Sequence, residues 1–406
     1  MAEPLTHFGI SNASNLMRSF HKVGNTTLTE LLEMYSAPNT KKTLRTWGIR
    51  EASKLIGRSE QHIRKLETKG SIFYPPLKDK KGKRYYTLER INKIRDILKT
   101  RFIRPPCSSP MIFAFTNFKG GVAKSTSSLA FAHKCALYGM KVLCIDLDPQ
   151  ATLTLGFGFV PDVHLKGEDT ISDALNRSPQ SILNLIKKTY FDGISIIPGN
   201  LALADMELEL TKKEKQIDDI PRLGMPQDRL KQALSLIQDK YDIIILDCGP
   251  NLGILTINAV TAANALVVPI PPMMADFASF VTFTGTLAAL FDSTNKDFDF
   301  FRILLTKHSG SSEAKGVDAL MRERFGRYVL KDHIVNSVEI EKASGKFGSV
   351  YELQKSSSPV YKRAIKSLDD IFDQIIEACD TIWRAQEIVN NNHAQSDIHK
   401  QLEITA

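Results

Sequence analysis

The residues best suited to chemistry lie in one run, Phe118-Lys119-Gly120-Gly121-Val122-Ala123-Lys124-Ser125-Thr126, set between an apolar stretch and an apolar helical segment. Adjacent glycines let the backbone curl until several N–H groups converge, the arrangement that cradles phosphate oxygens. A helix beginning near Ser125 adds the positive end of its dipole. Lys124 can bring charge to β- and γ-phosphates, and the Ser125 hydroxyl can ligate Mg2+. The run departs from the ordinary GxxxxGK[ST] pattern: Phe118 stands at the first glycine, Ala123 at the second, and an extra lysine, Lys119, opens the loop. Acidic residues follow two later apolar runs, as Asp146-Leu147-Asp148 and as Asp247-Cys248-Gly249-Pro250.

A second group of residues suits a polyanion. Residues 1–110 hold 22 Lys and Arg against 9 Asp and Glu, although the whole chain has a net charge of only +8, so the remainder is acidic. Such a split suits a polyanion as partner of the first part, or a solvated basic surface. Ile49–Glu67 reads as helix, tight turn, helix, with Ala52, Leu55, Ile56, Ile63 and Leu66 as a shared core. Gly57 closes the first helix and Ser59 caps the second. Arg58, Ser59, Gln61, His62, Arg64 and Lys65 are then the candidate DNA contacts on the turn and the second helix, being groove-reading and phosphate-pairing types. A basic hairpin follows with Lys80, Lys81, Lys83 and Arg84, and Thr87 caps a helix carrying Ile91, Ile94 and Leu98 on one face.

These groups need elements to hold them. From Met111 onward, short runs rich in Ile, Val and Leu alternate with helical stretches: 111–115, 141–145, 194–198, 241–246, 265–270 and 302–306. Continuous apolar runs suit strands covered on both faces. Repeated βα units imply an α/β fold with a doubly wound, mostly parallel sheet, whose ligands bind at the carboxyl ends of the strands. The expected organisation is a helical dimerisation or extension segment at 1–45, a small helical DNA-binding domain at 46–104, a linker at 105–110 with three prolines between 105 and 110, the phosphate-binding domain at 111–389, and a flexible polar tail at 390–406.

Composition narrows the class further. Five cysteines form no CxxC pair and no zinc spacing, which reads as free thiols in a reducing compartment. The histidines are scattered, without a metal motif. The most apolar region, 258–283, is interrupted by Asn264, Pro269, Pro271, Pro272 and Asp276, so no clean bilayer-crossing helix is expected there.

The form KGGxxK[ST] resembles the deviant Walker A motif of the ParA/MinD class of P-loop ATPases. Asp146-Leu147-Asp148-Pro149 resembles the Walker A′ sequence of that class, and Asp247-Cys248-Gly249-Pro250 resembles Walker B, with Gly249 in place of the first of two prolines. The run Pro269-Ile270-Pro271-Pro272 followed by Asp276-Phe277-Ala278-Ser279 is similar to the larger plasmid partition ATPases. The resemblance covers about residues 111–385. It implies ATP and Mg2+ as cofactors, with Lys119 reaching across a homodimer to the partner's phosphates, Lys124 on the chain's own phosphates and Asp148 orienting the attacking water. Ser125, Asp146 and Asp247 would serve the metal. Residues 46–104 resemble the winged helix of mercury-resistance-type regulators, which the larger partition proteins carry in comparable form. The resemblance further implies a specific operator, non-specific DNA, a centromere-binding partner of the ParB type, no membrane, and a cytoplasmic, nucleoid-associated place in a bacterium. Non-specific DNA contacts would fall partly on Lys342, Lys346, Lys355, Lys362, Arg363 and Lys366. The alternative reading is a nucleotide-sensing DNA-binding regulator without turnover.

Overall fold

Four parallel strands with no polar residue before their carboxyl ends can exist only inside a layered core. The computed structural model describes residues 22–31, 42–161, 163–213, 223–294 and 296–405. Its smaller sheet pairs β1 (Trp47–Gly48) with β2 (Tyr85–Tyr86). The larger contains β3 (Met111–Phe115), β4 (Val142–Asp146), β5 (Lys187–Lys188), β6 (Ile194–Ile197), β7 (Ile243–Asp247), β8 (Ala265–Ile270) and β9 (Phe300–Leu305). The order is β5-β6-β4-β7-β3-β8-β9, all parallel except the short edge strand β5. Strands β3, β4 and β7 are buried along their whole length, as their apolar content requires. Register brings the last residues of β4 and β7, Asp146 and Asp247, side by side.

The sequence-expected strands all form, with ends shifted by up to two residues. The antiparallel edge pair Lys187–Lys188 went unforeseen because two lysines carry no strand pattern. The segment 390–406, expected as a flexible tail, is helical as far as Thr405, the last helix running from Pro359 to Thr405. Its polar residues lack an apolar stripe, yet they continue a helix already nucleated over 359–389. Of the expected N-terminal segment, residues 22–31 are helical; Leu32 and Met34 lie outside the described residues.

The N-terminal unit comprises α1 (Ile49–Ile56), α2 (Glu60–Lys65) and α3 (Leu88–Leu98). Gly57 at φ 72° terminates α1, and the Ser59 hydroxyl accepts from the His62 N–H to cap α2. Arg95 of α3 ties this unit to the large sheet's helix α4 (Lys124–Tyr138): its guanidinium donates to Leu55 O at 2.6 and 2.8 Å and to Leu137 O at 2.8 Å. Arg101 donates to Gly139 O, and Asn92 to Asp192 Oδ2. The segment 105–110 is also held, through Trp383 Nε1 to Ser109 O and Asn390 Nδ2 to Cys107 O.

Helix α4 buries His133, which stacks on Phe191 at 4.2 Å and shares a 2.8 Å hydrogen bond with Ser349. Burial lowers its pKa to about 4, with Lys42 adding to the shift and Glu352 opposing it. A neutral His133 therefore contributes stability that is complete above the unfolded value of about 6.5 and lost as pH falls towards 4. Denaturant titrations from pH 7 to 4 should show wild type losing about 3 kcal/mol more than His133→Leu. Equal pH slopes would place the proton uptake elsewhere.

Candidate functional site

The phosphate loop connects β3 to α4. Gly121 and Ala123 adopt left-handed φ values of 74° and 69°, so the loop curls although alanine replaces the expected glycine. The loop is clamped from outside by Thr306 Oγ1 to Val122 O at 3.0 Å and Lys307 Nζ to Gly121 O at 2.7 Å. Lys124 is buried, and its ammonium donates to Asn117 O and Lys119 O at 3.1 and 3.0 Å. Burial lowers its pKa, while Asp247, Cys248 and Asp148 pull the other way. Ser125 and Thr126 lie in the first turn of α4. The Lys119 ammonium pairs with Asp276 Oδ1 at 2.9 Å.

Three carboxylates gather at the strand ends. Asp247 is fully buried; Ser128 Oγ donates to its Oδ1 at 2.9 Å, and the Ser125 hydroxyl lies close by. Its Oδ2 is buried without a hydrogen-bond partner. Desolvation, then repulsion from Asp146, raises its pKa. Asp146, expected beside the Ser125 hydroxyl, is instead occupied by Thr154, whose N–H and Oγ1 donate to Oδ2 at 2.8 and 2.7 Å, and by the Asp148 N–H at Oδ1. Thr154 went unnoticed in the sequence because a threonine eight residues beyond an aspartate has no local signature. Asp148 is nearly buried, with Oδ1 accepting from the Gln150 N–H at 2.9 Å. A Cβ at Gly249 would stand at an ordinary contact distance of 3.6 Å from the Asp148 carboxylate, so the glycine is not required there for space.

An orphaned buried carboxylate oxygen, a hydroxyl on its other side, and raised pKa values in both acids fit a cation at Asp247 and Ser125. Beside the first turns of α4 lies a cavity of about 370 Å3, lined by Thr126, Ser127, Lys307, Val335, Asn336 and Ser337. It suits a flat base attached to phosphates in the loop. Its far wall is not legible in sequence, since 334–337 is placed by long-range pairing, of Ile334 N–H with Leu305 O and of Val335 with His308.

Of the expected DNA contacts, Gln61, His62, Arg64, Lys65, Lys80, Lys81 and Lys83 are exposed on α2 and the hairpin tip. Ser59 is exposed but serves as the cap of α2, and Arg58 donates to Gly57 O. Arg84 corrects the expectation: its guanidinium turns inward to the buried Glu67 at 3.2 Å, where Arg90 and the Tyr86 hydroxyl also meet. Glu67 would otherwise be a buried unpaired charge. Lys342 and Lys366 pair with Glu339 and Asp370. Lys355, Lys362 and Lys366 line the same cleft of about 830 Å3 as Lys54 and Arg58, so basic residues of both units meet there.

Two features depart from the composition-based reading. His308 and His333 do gather around Asp318, stacked at 3.9 Å. The His308 Nδ1 accepts from the Gly310 N–H, so Nε2 carries the proton and faces Asp318, whose other oxygen takes Arg322. The cluster is built on the Arg322–Asp318 ion pair, with the two imidazoles beside it. Helix α5 (Met274–Thr294) is, over Met274–Asp292, long and apolar enough to cross a membrane by length and composition. In the fold its Phe280, Phe283 and Leu287 pack into the sheet core.

The parallel sheet, the curled loop before α4 and the acids at the ends of β4 and β7 define a P-loop nucleoside-triphosphatase fold. The family described as an AAA domain matches residues 111–300. The chain is 34% identical over 358 residues to Protein SopA of Escherichia coli strain K12, spanning 84% of this chain and 91% of that protein. It is 31% identical over 369 residues to a putative replication protein A of Sinorhizobium fredii, spanning 85% and 89%. A solved structure titled Partition Protein aligns with a TM-score of 0.62 at 19% identity, over 89% of this chain and 99% of that one, which shows a shared fold. The chain belongs to the ParA-type family of partition ATPases.

Proposed function

We propose that this protein is a DNA-segregation ATPase that hydrolyses ATP with Mg2+, pairs with a second copy when ATP is bound, and binds DNA in two ways. One observation carries the reading: Lys119, Lys124, Ser125, Asp148 and Asp247 converge on a single loop and two neighbouring strand ends. Lys124 and the loop N–H groups would hold β- and γ-phosphates, Ser125 and Asp247 the cation, and the cavity at Thr126 and Asn336 the base. Mg2+ bound there would neutralise phosphate charge and the raised acids together. Asp148 would orient the water, Lys119 would serve the partner protomer, and Asp146, occupied by Thr154, would position rather than bind. A centromere-bound protein of the ParB type would stimulate turnover. The exposed residues of α2 and the hairpin would recognise an operator, giving repression of the chain's own operon, while the ATP-bound dimer would hold nucleoid DNA non-specifically in the bacterial cytoplasm.

The test assays the full-length protein and its Gln61→Ala/Arg64→Ala variant side by side, for ATP turnover with and without random DNA and for binding to operator against random DNA. Turnover should match in the two proteins. The variant should lose operator preference, since each base-edge contact discriminates by about 1–3 kcal/mol. No turnover in either protein would favour the nucleotide-sensing regulator. Unchanged preference in the variant would move recognition off α2.

A further inference from the structure

Two consecutive carbonyls of the phosphate loop are taken by one short turn. Thr306, the first residue after β9, donates its buried hydroxyl to Val122 O at 3.0 Å, and Lys307 donates its ammonium to Gly121 O at 2.7 Å. A trans peptide sets each carbonyl opposite the N–H that follows it. Holding these two carbonyls towards the turn therefore points the N–H groups of Val122 and Ala123 the other way. Among the described residues no hydrogen bond engages either N–H. The turn is itself fixed from several sides. Thr306 N–H donates to Ile270 O at 2.9 Å, His308 N–H to Ile334 O at 3.0 Å, and Asn336 N–H to His308 O at 3.0 Å. Between them Lys307 sits at φ 50°, a left-handed value that a non-glycine residue keeps only where its surroundings hold it.

Resting on the reading that this loop binds nucleotide phosphates, we infer that Thr306 and Lys307 are positioning residues that shape the phosphate cradle. Neither needs to touch a phosphate. They hold two carbonyls outward, and two N–H donors are thereby aimed at the anion before it arrives. Ala123 explains why such a clamp is needed. It stands at φ 69°, where the ordinary motif has a glycine that adopts that value freely. An alanine there leans on restraint from outside the loop, and Thr306 supplies it at the preceding carbonyl. The same turn carries the segment 334–337 through His308, so the loop and the wall of the cavity beside Thr126 are held at one spacing. Lys307 lines both that cavity and the one of about 470 Å3 beside Lys119, which places it at the seam between them.

Titration of a fluorescent ATP analogue with Mg2+ into the full-length protein tests the clamp, with thermal melting of each variant alongside. Thr306→Val keeps the size of the side chain and removes its donor, without any change of charge. It should bind about tenfold more weakly than wild type, the worth of one hydrogen bond. Thr306→Ser, which keeps the donor, should bind like wild type. Lys307→Met should show a loss of similar size, and Lys307→Arg should recover most of it. In steady-state ATP turnover the loss should fall on KM more than on kcat, because the cradle holds substrate and transition state alike. If Thr306→Val binds like wild type while Lys124→Gln is defective, the clamp is wrong and the phosphate site stands. A loss in Lys307→Met alone would overturn it too, since a charge acting on phosphate would then account for Lys307. Wild-type affinity in Lys124→Gln would instead sink the reading beneath the clamp. Should Thr306→Val fail to fold, Lys307→Met decides: wild-type KM in that variant overturns the clamp, and a raised KM with kcat kept supports it.

Discussion

Lys124→Gln should weaken nucleotide binding by about two orders of magnitude or more, since charge-assisted hydrogen bonds contribute about 1.5–3 kcal/mol each and phosphate accepts more than one. The side chain is buried and waits on the carbonyls of Asn117 and Lys119, which a phosphate would replace as partners. Glutamine can reach the same carbonyls through its amide but brings no charge. Neither other nearby lysine can substitute. Lys119 is held by Asp276, and Lys307 is bound to the outside of the loop at Gly121 O. Titration of a fluorescent ATP analogue against wild type and variant measures the loss, with thermal melting to confirm the fold. Wild-type affinity in the variant would remove the loop from the nucleotide site.

Asp148→Ala should separate binding from turnover. Hydrolysis should fall by about 10²–10⁴-fold, the usual contribution of an oriented general base or water-positioning group. Nucleotide affinity and pairing should remain near wild type. The choice among three neighbouring acids follows from their partners. Asp146 has both oxygens engaged by Thr154 and the Asp148 N–H, and Asp247 faces the hydroxyls of Ser125 and Ser128. The described hydrogen bonds of the Asp148 carboxylate engage only its Oδ1. Single-turnover measurement with prebound ATP isolates the chemical step. Normal hydrolysis by the variant would assign the water to another group.

The residues that could be read in sequence were those whose work is local. A phosphate loop is built within a few residues between a strand and a helix, so Lys119 to Thr126 stood out together. Parallel strands buried on both faces declare themselves as continuous apolar runs. The residues that could not be read act across distance. Arg84 looked like a solvent-facing wing cation because its partner, Glu67, lies in a different element. Thr154 looked like any helix residue until Asp146 was found beneath it. The cavity beside Thr126 has one wall from α4 and another from 334–337, brought together by the chain's return to the sheet edge. Lys42, in the basic N-terminal part, donates to Gly156 O and Phe347 O and pairs with Glu352.

Arg95 changes what can be cut from this chain. One guanidinium closes the carboxyl ends of α1 and α4, so the two helices share a terminator. A protein started at Met111 would lose that terminator from the helix that begins at the phosphate loop. Leu137 O and Gly139 O would lose their donors and Asp192 its amide partner. The two units are therefore poor interchangeable cassettes. A chimaera that borrows the N-terminal unit must also import the matching end of α4, and a change of shape in either unit is felt as a pull on the same side chain.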